Sequence, residues 1–247
     1  TSAVNARTAK VRQLKTSVRV AAAGMPGLRG DLLVERPQRL RLQAGLMGMN
    51  EAGFDLGSND EAFWIWQKVA LPGQPETFWY ARHIDYQHSQ LRAALQLQPV
   101  WLIDALGLVE FSPSDRHAGP LPRPDGRVEI RTWSSRPGQT AIRRTVLDPR
   151  TLEVHQQAFY EQGQRIAWLD SIRHEYYPEY GISLPRRIEI HVDGGTGEEM
   201  QLTVDAGQYS INSIHGDPAK LWQMPEPAGV RRVNLSEGLI SEPAAET

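Results

Sequence analysis

The chain has 247 residues, with 27 Lys and Arg against 29 Asp and Glu, a formal net charge of −2 and an isoelectric point near 6.4. That balance excludes a globally basic nucleic-acid binder, and the absence of cysteine excludes disulfides, thiolate nucleophiles and Cys-based zinc sites. The length suits one large all-β domain or two ordinary ones, with a core that needs no covalent staples.

Residues 3–14 place Val4, Val11 and Leu14 on one side of a helical wheel, which predicts a short amphipathic N-terminal helix. Residues 17–23 read as a strand with Val18, Val20 and Ala22 on one face, followed by a turn over 24–30. Leu40, Leu42, Ala44 and Leu46 then alternate with Arg39, Arg41, Gln43 and Gly45, a period of two that gives a strand one apolar and one wet face. Pro37 lacks an amide donor and so marks a strand start, an edge or a bulge. A second strand over 53–56, a turn cluster over 57–60 and a third strand over 63–66 follow. Their connections are too short for a parallel crossover, so the three are expected to be antiparallel neighbours. Residues 71–75 make a loop, and 77–82 return as a fourth, aromatic strand.

The period changes after residue 86. Residues 88–97 put Leu91, Ala94 and Leu95 on one helical stripe, and Pro99 suits the first position of a second helix over 99–105. Val100, Trp101, Ile103 and Leu106 make that helix apolar nearly all round, and Gly107 suits its C-terminal cap. Residues 112–126, rich in Pro, Gly and charge, read as a surface loop. A meander resumes with strands over 127–133 and 140–147, and a corner over 148–151. The next strands run through Leu152, Val154, Gln156 and Ala158, then over 166–172 after a Gln162-Gly163 turn. A loop over 178–185 leads to Ile188, Ile190 and Val192, and a hairpin turn over 193–197 leads to Met200, Leu202 and Val204. The whole is expected to form about eleven strands, too many to stay open and flat. Residues 1–240 are expected to form one domain, and the small polar residues 241–247 a disordered tail.

Several segments carry a resemblance. VERPQRLRLQ over 34–43, followed by FDLGSNDEAFWIWQK over 54–68, resembles the repeated strands of the periplasmic outer-membrane lipoprotein carrier family, in which a basic-Pro strand precedes one bearing a Trp-x-aromatic pair, matched by Trp64 and Trp66. TLEVHQQAFYEQGQ over 151–164 resembles that family's strand-turn-strand, and LWQMPEPAGVRRVNL over 221–235 its last strand and exit. The resemblance implies a mainly β fold with some α: an incomplete, half-open antiparallel β-barrel around an apolar hollow, with the N-terminal and mid-chain helices as plug or lid. It further implies a non-enzymatic bacterial envelope lipoprotein on the periplasmic side, a lipid-binding carrier or chaperone in lipoprotein transport toward the outer membrane. A leader ending in a lipid-modified Cys upstream of Thr1, and so peripheral membrane association, belong to the same implication. A structural or sensory lipoprotein that binds a protein partner and carries no lipid is the alternative.

On that reading Leu40, Leu42, Trp64, Trp66, Trp79, Trp101, Ile103 and Trp168 are the candidate lining of the hollow, with acyl chains of a lipid or lipoprotein as the ligand. Trp101 is expected to be buried against the strands that carry Trp64 and Trp66. Ordinary core packing is the competing account of each Trp.

Catalytic and metal signatures are weak. His83-x-Asp85 with His88, and His191-x-Asp193, have metal-ligand residue types but no third ligand at a characteristic spacing. The glycine-rich run over 193–197 precedes a strand rather than a helix N-terminus, so it suits a hairpin and not a phosphate loop. No serine sits in a Gly-x-Ser-x-Gly turn. The expectation is therefore no enzyme, no cofactor, no metal and no nucleic acid. Arg39, Arg41, Arg127, Arg131, Arg143 and Arg144 read as outward partners of Asp and Glu on neighbouring strands, with contact to lipid head groups or phosphates as the alternative.

Overall fold

A computed structural model describes residues 1–22, 27–46, 53–68, 75–86, 99–136, 139–193 and 199–237. Helix α1 (Ser2–Thr8) leads into β1 (Gln13–Ala22), β2 (Leu28–Glu35), β3 (Arg39–Leu46), β4 (Phe54–Ser58), β5 (Ala62–Gln67) and β6 (Thr77–Arg82). The short α2 (His83–Tyr86) and α3 (Pro99–Ala105) interrupt the meander. It resumes with β7 (Arg116–Pro122), β8 (Val128–Arg136), β9 (Gln139–Leu147), β10 (Val154–Glu161), β11 (Gln164–Tyr177), β12 (Ile182–Asp193) and β13 (Glu199–Ala206). The chain finishes with β14 (Ser210–Ile211), α4 (Pro218–Leu221) and β15 (Arg231–Asn234).

All these strands join one sheet of fifteen, in the order β15-β6-β5-β4-β3-β2-β1-β13-β12-β11-β10-β9-β8-β7, with β14 also pairing β1. The path ends at β7 and β15, so the sheet stays unclosed, and every pairing is antiparallel except β15 with β6. β1 and β13 join the two meanders, aligning Val18 with Ala206 and Val20 with Val204. The central core lies on one face: Leu14, Val18 and Val20 of β1 meet Leu32 and Val34 of β2, Leu40 and Leu42 of β3, and Ile188, Ile190 and Val204 from the second meander. That face receives α3 and is the concave one.

The half-open, mainly antiparallel architecture is the one expected, with fifteen strands among the described residues in place of about eleven. The excess has identifiable causes. β2 was not expected because residues 31–35 carry a continuous apolar run, Leu32 to Val34, which hides the alternation that buries Leu32 and Val34. β7 lies inside the expected loop; it is an edge strand bonded only to β8, where Pro120 and Pro122 withhold no ladder donor from a second neighbour. β12 begins at Ile182, and the connection before it is confined to a turn at 178–181. At the N-terminus the helix stops at Thr8, and Leu14 belongs to β1. The carboxamide oxygen of Asn212 accepts from the backbone N–H groups of both Arg12 and Gln13, at 2.8 and 3.0 Å, and draws this stretch into the sheet. The expected helix over 88–97, the tail, and most of the turns at 71–75 and 193–197 fall outside the described residues, as do residues 24–26 of the turn expected over 24–30, whose residues 28–30 instead open β2.

Candidate functional site

Directly opposed residues in an antiparallel ladder share a face, so register decides what can line the hollow. Leu40 opposes Ser58, and Leu42 opposes Leu56; Leu56 in turn opposes Ile65, which opposes Trp79. Leu40, Leu42, Ile65 and Trp79 therefore lie on the concave face with α3. Trp64 opposes Gly57 and Tyr80, and Trp66 opposes Asp55 and Phe78. Both rings project from the convex face. Trp168 does too, because it is one residue out of step with Leu169, which joins the core beside Ile190.

The convex tryptophans have partners of their own. Trp64 is fully buried and its indole N–H donates to Asp55 Oδ1 at 3.1 Å. Asp55 Oδ2 accepts from Arg41 at 2.9 Å and Gln43 at 2.8 Å. The C-terminal segment covers this cluster: Arg41 donates to the carbonyl of Leu221 at 3.1 Å, Asn59 to that of Trp222 at 3.1 Å, and Trp222 is itself buried. Gly57 makes room for the ring, since a Cβ there would sit 2.0 Å from Trp64. Trp66 donates to Glu76 at 3.0 Å under the ammonium of Lys68, and Trp168 stacks flat on His191 with Arg165 above it. In β5 the alternation visible in the sequence separates Trp64 and Trp66 from Phe63 and Ile65. Which pair faces inward is set by the turn at 59–61, where Asn59 Oδ1 accepts from the N–H groups of Glu61 and Ala62. No local signal in 62–67 reports it.

On the concave face α3 spans 99–105 as its sequence predicts. Ile103 is buried in the core, and Gly107, at φ +81°, donates its N–H to the Asp104 carbonyl at 2.9 Å, as a left-handed C-terminal cap does. Trp101 is half-buried and lies flat on Phe159 of β10, with ring centres 4.1 Å apart at 10°. It thus packs on the second meander, not on the strands bearing Trp64 and Trp66. The end of α3 is tied to strand side chains: Gln157 donates to the Asp104 carbonyl at 2.9 Å, and Ser171 to the Ala105 carbonyl at 3.1 Å. Arg143 holds the Asp104 carboxylate at 2.5 Å and donates to the Glu110 carbonyl at 2.9 Å. Burial pushes the Asp104 carboxyl up, and the guanidinium of Arg143 pulls it partly back. Arg143, expected to point outward, is thus a concave-face anchor. Nothing in the alternation of β9 singles it out from Arg144, whose guanidinium lies over Tyr160.

The apolar face extends past α3. Leu28, Leu46, Phe54, Leu56, Ile65, Trp79 and Leu202 are half-buried, and Met200 is 47% exposed. They lie toward the end of the sheet at which β1, β3, β5 and β12 finish. The opposite end is packed: Thr8 donates to the Val109 carbonyl at 3.2 Å, Arg36 to the Thr8 carbonyl at 2.8 Å, and Tyr209 to the Pro185 carbonyl at 2.6 Å. The described surface is therefore greasy toward one end of the concave face and sealed at the other. Among the described residues no group of three or more His, Asp or Glu side chains is placed to hold a metal. His83 meets Ser58 Oγ and the Asn59 carbonyl, and His88 lies outside the described residues.

No protein-family model matches the sequence, and no curated protein matches it either. Solved structures do. A LolA superfamily protein from Nitrosomonas europaea aligns over 90% of this chain and 97% of its own, with a TM-score of 0.55 and 12% identity. A domain from Vibrio parahaemolyticus, named for outer membrane lipoprotein sorting, aligns over 90% and 97% with a TM-score of 0.57 and 8% identity. With its unclosed antiparallel sheet and α3 laid on the concave face, the chain has the fold of the LolA superfamily.

Proposed function

We propose that this protein is a non-enzymatic carrier or receptor of the bacterial cell envelope that takes acyl chains, from a lipid or a lipoprotein, on its concave face. The observation that carries the reading is the apolar surface running from Leu40 and Leu42 under α3 out to half-buried Leu56, Ile65 and Trp79. An acyl chain needs area and no directional contact. At about 0.8 kcal/mol per buried methylene, a dozen methylenes supply about 10 kcal/mol before the cost of association. The likeness in fold to a lipoprotein-sorting domain supports the same ligand class, although fold alone does not carry function. On this reading the lining comprises Leu40, Leu42, Ile65, Trp79, Trp101, Ile103 and Phe159, whereas Trp64, Trp66 and Trp168 lie on the other face.

The test is tryptophan emission during titration with a long-chain fatty acid and with an acylated peptide. A saturable change at sub-millimolar ligand is expected. Ile65→Asp should weaken it at least tenfold, because a carboxylate among methylenes loses its hydration. Arg131→Ala, on the convex side of β8, should leave it unchanged. If no ligand alters the emission, or Ile65→Asp binds as the unaltered protein does, the carrier reading fails and the partner-binding lipoprotein is the better account.

A further inference from the structure

The convex face carries a cluster that neither the fold nor the acyl-chain reading uses. Across four adjacent strands Arg29, Arg19, Asp205 and Arg187 stand in register: Arg19 opposes Arg29 on one side and Asp205 on the other, and Asp205 opposes Arg187. Arg173 and Arg186 complete the rim of a depression of about 640 Å³. Arg186 is engaged by Glu175 at 2.5 Å, and Arg187 by Glu189 at 2.9 Å and Asp205 at 3.5 Å. Among the described residues no carboxylate lies within 4.0 Å of Arg19, Arg29 or Arg173, and all three are exposed.

Two features of this cluster run against folding alone. Like charges directly opposed on neighbouring strands destabilise a sheet, and Arg19 faces Arg29 in that way. Arg173 has φ +56° and falls between the pairs Ile172–Arg187 and His174–Pro185, level with Arg186 on the neighbouring strand, so a second pair of arginines faces across the ladder. Left-handed backbone is uncommon for a residue other than glycine or asparagine. Arg173 itself lines the depression. Gly30 and Gly207 also line it and add no side chain to its wall.

We propose that this depression binds a phosphate-bearing anion, either a soluble phosphate ester or the headgroup of a phospholipid. A guanidinium presents paired donors that match two phosphate oxygens. Three unpaired guanidiniums drawn from β2, β1 and β11 surround one hollow, which suits a compact, multiply charged group better than the extended row of carboxylates on an acidic peptide. The site lies on the opposite face from the acyl-chain surface and does not rest on that reading.

The experiment is calorimetric titration of the full chain with pyrophosphate at low ionic strength, beside flotation with vesicles of phosphatidylglycerol or of phosphatidylcholine. Binding of pyrophosphate, or flotation with phosphatidylglycerol and not phosphatidylcholine, is expected. Pyrophosphate binding alone identifies a soluble ester, and vesicle binding a headgroup. Arg19→Gln/Arg29→Gln should weaken either at least tenfold while melting at the same or a higher temperature, because a repulsive pair has gone. Arg231→Gln, on exposed β15, should bind like the unaltered protein. Absence of binding to both probes at millimolar concentration overturns the proposal. So does binding that survives the double substitution, or a poly-glutamate peptide that binds more tightly than pyrophosphate.

Discussion

Replacing Arg143 by Met should loosen α3 from the concave face and cost about 3–5 kcal/mol at neutral pH, the usual result of removing one partner from a buried ion pair. The Arg143 and Asp104 side chains are 16% and 11% exposed, so solvent screens the pair poorly. The substitution also deletes the bond to the Glu110 carbonyl and the contact with the Phe111 ring. At roughly 2–4 °C per kcal/mol for a chain of this size, the melting temperature should fall by about 6–20 °C. The deficit should depend on pH. Burial already holds the Asp104 carboxyl above its usual range, and losing Arg143 raises it further. A carboxyl whose folded pKa exceeds its unfolded value binds protons more readily when folded, so its penalty grows as pH rises through the unfolded value near 4 and shrinks below it. Urea denaturation at pH 7 and pH 4.5 measures both effects against the unaltered protein. Asp104→Leu/Arg143→Met should return to within about 1 kcal/mol of it, since no charge is left stranded. A single-substitution cost below about 1 kcal/mol at pH 7, or one equal at the two pH values, would refute the role given to this pair.

Gly57→Ala should destabilise by on the order of 1–3 kcal/mol or more, as overpacking does, because the new Cβ meets the Trp64 ring, which Asp55 holds by its indole N–H and Arg41 covers. A drop in urea midpoint with altered near-ultraviolet circular dichroism checks it, and an unchanged midpoint contradicts it. His155 and His174, with rings 4.9 Å apart, are both held below the usual histidine range, chiefly by burial, with Arg127 adding to it and Glu153 opposing. The unfolded chain therefore binds more protons below about pH 6.5, and stability should fall as pH drops from there through the folded values. Melting temperature against pH between 7.5 and 5 measures this, and His155→Gln/His174→Gln should flatten the slope; an unchanged slope would count against it.

Local pattern served best where one physical cause acted alone. The alternation of β3, the aromatic run of β6 and the Pro-to-Gly frame of α3 each reproduce the observed element. It failed where a partner distant in sequence decided the outcome. Asn212 pulls the expected helix residues into β1, and β8 converts a proline-rich loop into the edge strand β7. The site suffered from the same cause. Trp64 and Trp66 read as lining because aromatic residues signal a concave apolar wall, yet the register with Gly57 and Asp55 turns them outward. The cover that buries Trp64 comes from residues 221–223, far along the chain. Phe159 was overlooked and Arg143 was read as outward-facing because each stands in an ordinary strand. Their part in holding α3 appears only when β10 and β9 are brought beneath it.

The central claim is that acyl chains occupy the concave face, and photocrosslinking tests it most directly. A long-chain fatty acid bearing a photoreactive group near its methyl end should be irradiated with the protein and the labelled peptides mapped by mass spectrometry. The account predicts saturable labelling, competed by unmodified fatty acid, at concave residues such as Leu42, Ile65, Trp79 and Trp101, with the alternating convex positions Arg41, Trp64 and Trp66 spared. Labelling that does not saturate, or that falls on Trp64, Trp66 and Trp168, would contradict it.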